Sequence, residues 1–273
     1  MSVIDVSLGI STRTNLLSLQ ETSSLIARTQ NRLSTQKKVN SALDNAQAYF
    51  QASNLTNRAG DFAKLKDGID QAVSIVKSSM QGVSGITDLI QQMQGLTSSA
   101  KNTNDTSERS KLASQFDMLR LHITNLAGDA SYNGTNLIKS NADNLTVTFN
   151  ETGTSKMTVT GTAMDTVGLT LTCSANDWGS DANIDTSTNI LDNALSTLRA
   201  TASRMGTNSS LLGIRLDFTK TLVTTLQEGA GKLVNADMNE ESANLLALQT
   251  RQQLGTISLS LAQKSESSVL SLF

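Results

Sequence analysis

The sequence predicts a mainly α protein, a long antiparallel helical bundle or coiled-coil rod interrupted by a small central β-hairpin region, and three observations carry that prediction. The first is spacing. Leu55, Phe62, Leu65, Ile69, Ala72, Val76, Val83, Ile86, Ile90 and Met93 fall at helical intervals, as do Leu191, Leu195, Leu198, Ala202, Met205, Leu212, Leu216, Val223, Leu226 and Leu233. Such spacing holds one stripe on one side of a helix for many turns and demands partner helices to cover it. At about 1.5 Å per residue the first seam alone runs roughly 60 Å, longer than a compact catalytic domain needs. The second is the absence of proline from 273 residues; average usage would give roughly a dozen, and proline is the strongest breaker of helix interiors. The third is an aromatic fraction of only 3%, which leaves Leu, Ile, Val, Ala and Met to fill narrow seams instead of a thick core.

In chain order, the first helix is predicted over about 3–33, with Leu16, Leu19, Ile26 and Leu33 at heptad-like spacing. The seam lapses in LSTQKKVNSALDNA, read as a connector in which Ser41 or Asp44 caps the next helix. A long seam helix follows over about 45–100 and ends in the polar cluster KNTNDTSERS. A shorter helix carries Leu112, Phe116, Leu119, Ile123 and Leu126, and ends before the turn formers Gly128, Asn133 and Gly134. From 144 to 172 the period changes to two: LTVTF, KMTVT and LTL read as short strands. After the loop NDWGSDANIDTST, a second seam helix spans about 187–234 and a last helix about 238–272. That last helix has two apolar faces, one with Leu245, Leu248, Leu259, Ala262, Val269 and Phe273, the other with Leu254, Ile257 and Leu261. Two faces imply neighbours on more than one side. Residues 241–273 carry only Glu241, Arg251, Lys264 and Glu266 as charges, so the termini read as segments that become buried among copies of themselves.

The balance of 22 basic against 24 acidic residues gives no bias towards nucleic acid or a membrane surface. The start MSVIDVSLGISTRTNLLSLQ lacks a basic segment followed by an apolar run, and no window approaches a membrane span. The lone His122 has no cysteine or acidic cluster beside it and reads as a helix-surface residue. Cys173, in a Thr-rich strand, reads as an inert thiol. No metal-ligand spacing, phosphate loop or dinucleotide fingerprint appears, so no catalytic residue, metal or cofactor is expected. Gly82, Gly85, Gly229 and Gly231 fall within helical patterns and are expected to permit close packing or local bending.

NRLSTQKKVNSALDNAQAYFQASNL, residues 31–55, resembles the segment of bacterial flagellins in which the first terminal helix passes through a connector into the rod domain. Asn31, Leu33, Ser34, Val39, Asn40, Ala42 and Asp44 occupy the characteristic positions, with Gln36 where many relatives have glycine. ITNLAGDASYNGTNLI resembles the flagellin turn from helix to hairpin. ADMNEESANLLALQTRQQLGTISLSLAQKSESSVLSLF is similar to the flagellin ending through its Val-Leu-x-Leu-aromatic finish. A hook-filament junction protein has similar termini, but the match at both ends and the short middle favour the filament subunit. A helical signalling protein would show a charged helix surface and no β interruption.

The resemblance implies that residues 1–34 and 237–273 pair as the two halves of an inner-core helical domain, with 35–45 as connector. It implies 46–139 and 187–236 as the helical rod domain and 140–186 as a short outer β and loop region. It implies a polymerisation core of Leu16, Leu19, Ile26, Leu33, Leu245, Leu248, Leu254, Ile257, Leu259, Leu261, Val269, Leu270, Leu272 and Phe273, with Ser34, Val39, Asn40 and Asp44 in the connector. The implied partners are many copies of itself or sister flagellins, the flagellar type III export apparatus and its chaperone, and filament cap and hook-junction proteins. Nucleic acid and membrane are not among them. The implied setting is an extracellular filament used for swimming. Relatives are often O-glycosylated on the outer surface, which nominates Thr160, Thr170, Thr172 and Ser174. Where many flagellins carry a Leu-x-Arg-Val-Arg-Glu-Leu pattern read by a vertebrate innate receptor, this chain has IQQMQGL, with Gln92, Gln94 and Gly95 at the charged positions, implying weak recognition.

Overall fold

The computed structural model describes residues 10–270. Among these residues the chain forms five helices, α1 (Ile10–Thr35), α2 (Ala46–Lys101), α3 (Thr106–Asp129), α4 (Asp181–Val234) and α5 (Met238–Leu270), and one antiparallel hairpin of β1 (Leu145–Thr148) and β2 (Lys156–Val159). The chain divides into two compact units, one of 1–57 with 225–273 and one of 58–224.

In the first unit α1 packs on α5. Among the buried and half-buried positions of α1, Thr12, Asn15, Leu19, Thr22, Ile26, Thr29 and Leu33 form an unbroken three-four repeat, flanked by half-buried Ser18, Leu25 and Arg32. The facing repeat on α5 runs through Glu241, Leu245, Leu248, Gln252, Gly255, Leu259 and Ala262. Arg32 meets Glu241 at 2.8 Å and Leu19 reaches the bare backbone of Gly255, so the pair is antiparallel with its register fixed at both ends. Three of these seven seam residues are threonine. Thr22 returns its hydroxyl to the Ser18 carbonyl, 2.7 Å away, which leaves the methyl free to pack. Leu16 falls off this repeat and is 40% exposed; the heptad reading that included it is corrected by the threonines. Residues 3–9 of the expected first helix lie outside the described residues.

In the second unit the seams meet as expected. Ile69, Val76, Val83, Ile86, Ile90 and Met93 of α2 join Phe116 and Ile123 of α3 and Leu191, Leu198, Met205 and Leu212 of α4 in one buried core. Gly82 lets α2 approach Ala130 and Ile138, and Gly85 makes room for Leu126. Arg109, 6% exposed, ties the α2–α3 turn together: it donates to the carbonyls of Ala100 (3.1 Å) and Thr103 (2.7 Å) and to Asp181 (2.6 Å). Gln94 donates to Asp192 at 2.7 Å, and Lys101 pairs with Asp185. These two links set the antiparallel register of α2 and α4.

The hairpin pairs Leu145 with Val159 through Thr148 with Lys156, and the alternation is real, since Val147, Phe149 and Val159 are buried. The third predicted strand does not form. Asp165 draws Gly168 and Leu169 into a turn through its side chain and carbonyl, and Thr170 sits at φ 54°. Leu169 and Leu171 are therefore buried without strand pairing, and Cys173 lies exposed in the loop that follows. α4 begins at Asp181, six residues before the predicted start. Its first turns are Ser, Thr, Asn and Asp, which read as loop, but Thr186, Ser187 and Thr188 each bond the carbonyl four residues back. Just before it, Asn176, Asp177 and Trp178 adopt φ of 46°, 45° and 57°. This left-handed run is costly and is held by fully buried Trp178, which donates to Ser187 at 3.0 Å and meets Phe116 edge-on.

Candidate assembly surface

The connector is built as a set of closed turns. α1 ends at Thr35, and Gln36 takes φ 59°, the left-handed position after a helix that glycine occupies most easily. The chain then zips against the α4–α5 link, with Ala236 donating to Gln36, Lys38 to Val234, and a bridge between Lys37 and Asn235. Val39 is buried, Ser34 exposed, and the Asn40 amide donates to Asn31 at 2.9 Å. Asp44 is not the cap of α2. Its carboxylate accepts from the Ser41 and Asn40 backbone N–H groups at 2.9 and 3.0 Å, bonds that hold it below the usual carboxylate range. Asn45 caps α2, accepting from Ala48 at 3.0 Å. Asp237 caps α5 through Asn239.

With Leu245, Leu248 and Leu259 turned towards α1, the opposite side of α5 is bare. Leu246, Leu254, Ile257 and Leu261 are 62–67% exposed and lie along one stripe. Single exposed leucines are ordinary, but a continuous aliphatic stripe marks a surface meant for another protein. Of the sequence-nominated residues, Leu19, Ile26 and Leu33 lie within the coiled coil, while Leu16, Leu254, Ile257 and Leu261 lie outside it. The side chains of Val269 and Leu270, and all of Leu272 and Phe273, fall outside the described residues. Leu246 belongs to the stripe and was missed, although its spacing to Leu254 and Ile257 follows the same helical face. Thr160, Thr170 and Thr172 are exposed, whereas Ser174 is half-buried with its hydroxyl bonded to Asp117 at 2.9 Å. Gln92 and Gly95 are exposed, and Gln94 is engaged by Asp192.

Among the described residues no cluster of His, Cys, Asp and Glu could hold a metal ion, and no helix is long and apolar enough to cross a membrane.

Paired termini with an uncovered apolar face define a helical self-association subunit. Residues 6–143 match the model of the bacterial flagellin N-terminal helical region and residues 188–273 that of the C-terminal helical region. Flagellin FljM of Caulobacter vibrioides is 35% identical over 259 residues, 94% of each chain, and a flagellin of Brucella melitensis is 30% identical over 273 residues, 95% of each. A crystal structure of Bacillus cereus flagellin aligns with a TM-score of 0.49 at 21% identity, covering 56% of this chain and 88% of that one. The chain belongs to the bacterial flagellin family and is a structural subunit of the flagellar filament, self-assembling with copies of itself or sister flagellins.

Proposed function

We propose that this flagellin polymerises through the outer face of its terminal coiled coil, with Leu246, Leu254, Ile257 and Leu261 of α5 and Leu16 of α1 meeting neighbouring copies. The observation that supports this reading is the bare α5 stripe, four large aliphatic side chains about two-thirds exposed on a helix whose other face is already covered by α1. Leu19, Ile26, Leu33, Leu245, Leu248 and Leu259 act by holding the pair that presents the stripe. Residues 1–34 and 237–273 form the inner core of the filament, 35–45 the connector, 46–139 and 187–236 the next layer, and 140–186 the outer surface.

The filament lies outside the cell, reached through the flagellar type III apparatus with a chaperone, and grows beneath a cap on hook-junction proteins. Exposed Thr160 and Thr172 are the candidates for outer O-glycosylation; the occupied hydroxyls of Ser174, on Asp117, and of Thr170, on the Leu169 carbonyl, make these two poorer ones. Gln92, Gln94 and Gly95 supply no charge where the vertebrate receptor reads ion pairs, and Gln94 is further held by Asp192. A reporter-cell assay on depolymerised protein checks this: weak activation is expected, and activation matching that of strongly sensed flagellins contradicts it.

Polymerisation is tested by concentrating the purified full chain and viewing it in negative stain. Filaments are expected, and deletion of residues 241–273 is expected to leave a soluble, partly helical protein that forms none. Normal filaments from the truncated chain would overturn the reading.

A further inference from the structure

A second pair of uncovered apolar patches lies wholly within the 58–224 unit. On α3, Met118 and Leu121 are 58% and 61% exposed; on α4, Leu211, Ile214 and Phe218 are 42–64% exposed. The two patches are unlike and sit at different heights. Gly85 abuts Leu126, which places Met118 and Leu121 level with Ile90–Met93 of α2. The links from Gln94 to Asp192 and from Lys101 to Asp185 place Leu211–Phe218 level with Gly68–Ile75. Both α3 and α4 run antiparallel to α2 and hence parallel to each other. The offset is about 20 residues, or roughly 30 Å along the helices.

Resting on the filament reading above, we propose that these patches bind each other between copies: the α3 patch of one subunit seats on the α4 patch of a parallel neighbour displaced by about 30 Å along the helix direction. Two different surfaces joined head to tail make a heterologous contact, the type that propagates into an open helical assembly instead of closing as a dimer. The flanking polar residues agree with the register. Laying Met118 and Leu121 over Ile214 and Phe218 brings Glu108 level with Arg204 and His122 beside Asp217. None of these four has an ion-pair partner among the described residues.

The test is cross-linking in a Cys173→Ser background. Met118→Cys with Ile214→Cys is expected to give a ladder of disulfide-linked multimers when filaments are oxidised, while either cysteine alone gives none. Filaments without a ladder from the double variant overturn this pairing and leave the filament reading intact. Dimers from a single-cysteine variant overturn it too, since they require like patches to meet. No filaments from the unsubstituted full chain defeat both readings together. Should the cysteine pair impair folding, a charge exchange serves instead. Glu108→Arg is expected to raise the critical concentration for assembly about threefold, and adding Arg204→Glu to restore it. A double variant no better than the single one counts against the register.

Discussion

Asn136 uses its whole amide to close the turn after α3: Nδ2 donates to the carbonyls of Ala127 (2.8 Å) and Gly128 (2.9 Å), and Oδ1 accepts from Ile138 (2.9 Å) and Lys139 (3.0 Å). It is 2% exposed. Asn136→Ala strands those backbone groups away from water, and a loss of about 3 kcal/mol in urea unfolding is expected. Arg109 and Asn136 escaped the sequence reading because their partners are mostly backbone groups at helix ends and turns, whose positions no local pattern reveals. Leu19 and Ile26 were legible because apolar periodicity names its own face, whereas Val39, in the connector where that periodicity lapses, was legible only through the resemblance. Asp44 and Asp143 add a pH dependence. Backbone N–H groups from Ser41 and Asn40 lower the first, and the hydrogen bond from Lys139, then the Asn136 N–H, lowers the second. Both are lowered on folding, so their stabilisation is complete above the unfolded carboxylate value of about 3.9 and is lost as pH falls through the folded values. Urea midpoints at pH 6 and pH 3 should converge partly in Asp44→Asn; an unchanged difference would show that this carboxylate contributes nothing.

Within elements, the same glycine substitution should act with opposite sign at two sites on α2. A Cβ at Gly82 would stand 2.6 Å from Ile138 and 2.7 Å from the Cβ of Ala130, whereas at Gly68 nothing lies within 4 Å. Gly68→Ala should stabilise by about 0.5–1 kcal/mol through helix propensity. Gly82→Ala meets an alanine Cβ that moves only with its backbone, and overpacking of about 1–3 kcal/mol outweighs the same gain. Thermal melts of the two variants should shift in opposite directions, and a stabilised Gly82→Ala would mean that α2 and the 130–138 segment separate easily. Helix existence was legible throughout because seams and missing prolines act locally. The start of α4 and the loss of the third strand were not: threonines that bond back along a helix, and an Asp165 turn that buries Leu169 and Leu171 without pairing, imitate loop and strand at the level of composition.

For the whole molecule, the resemblance at both ends of the chain and the matches to flagellins identified a filament subunit, and an excess of apolar helix face over the partners one chain supplies agrees with it. α1 covers one side of α5 and leaves the other bare, so on the proposed assembly surface the monomer's fold and its polymerisation depend on different sides of one helix. That separation permits a decisive measurement. Leu254→Asp with Ile257→Asp places two charges on side chains already exposed in the single chain, which should leave helicity and melting temperature close to those of the parent. In a filament the same charges would be buried without partners, at several kcal/mol each. Sedimentation and negative-stain microscopy of the full chain carrying both substitutions should show folded monomer and no filaments at concentrations where the parent polymerises fully. Filaments forming at the parent's critical concentration would contradict the account.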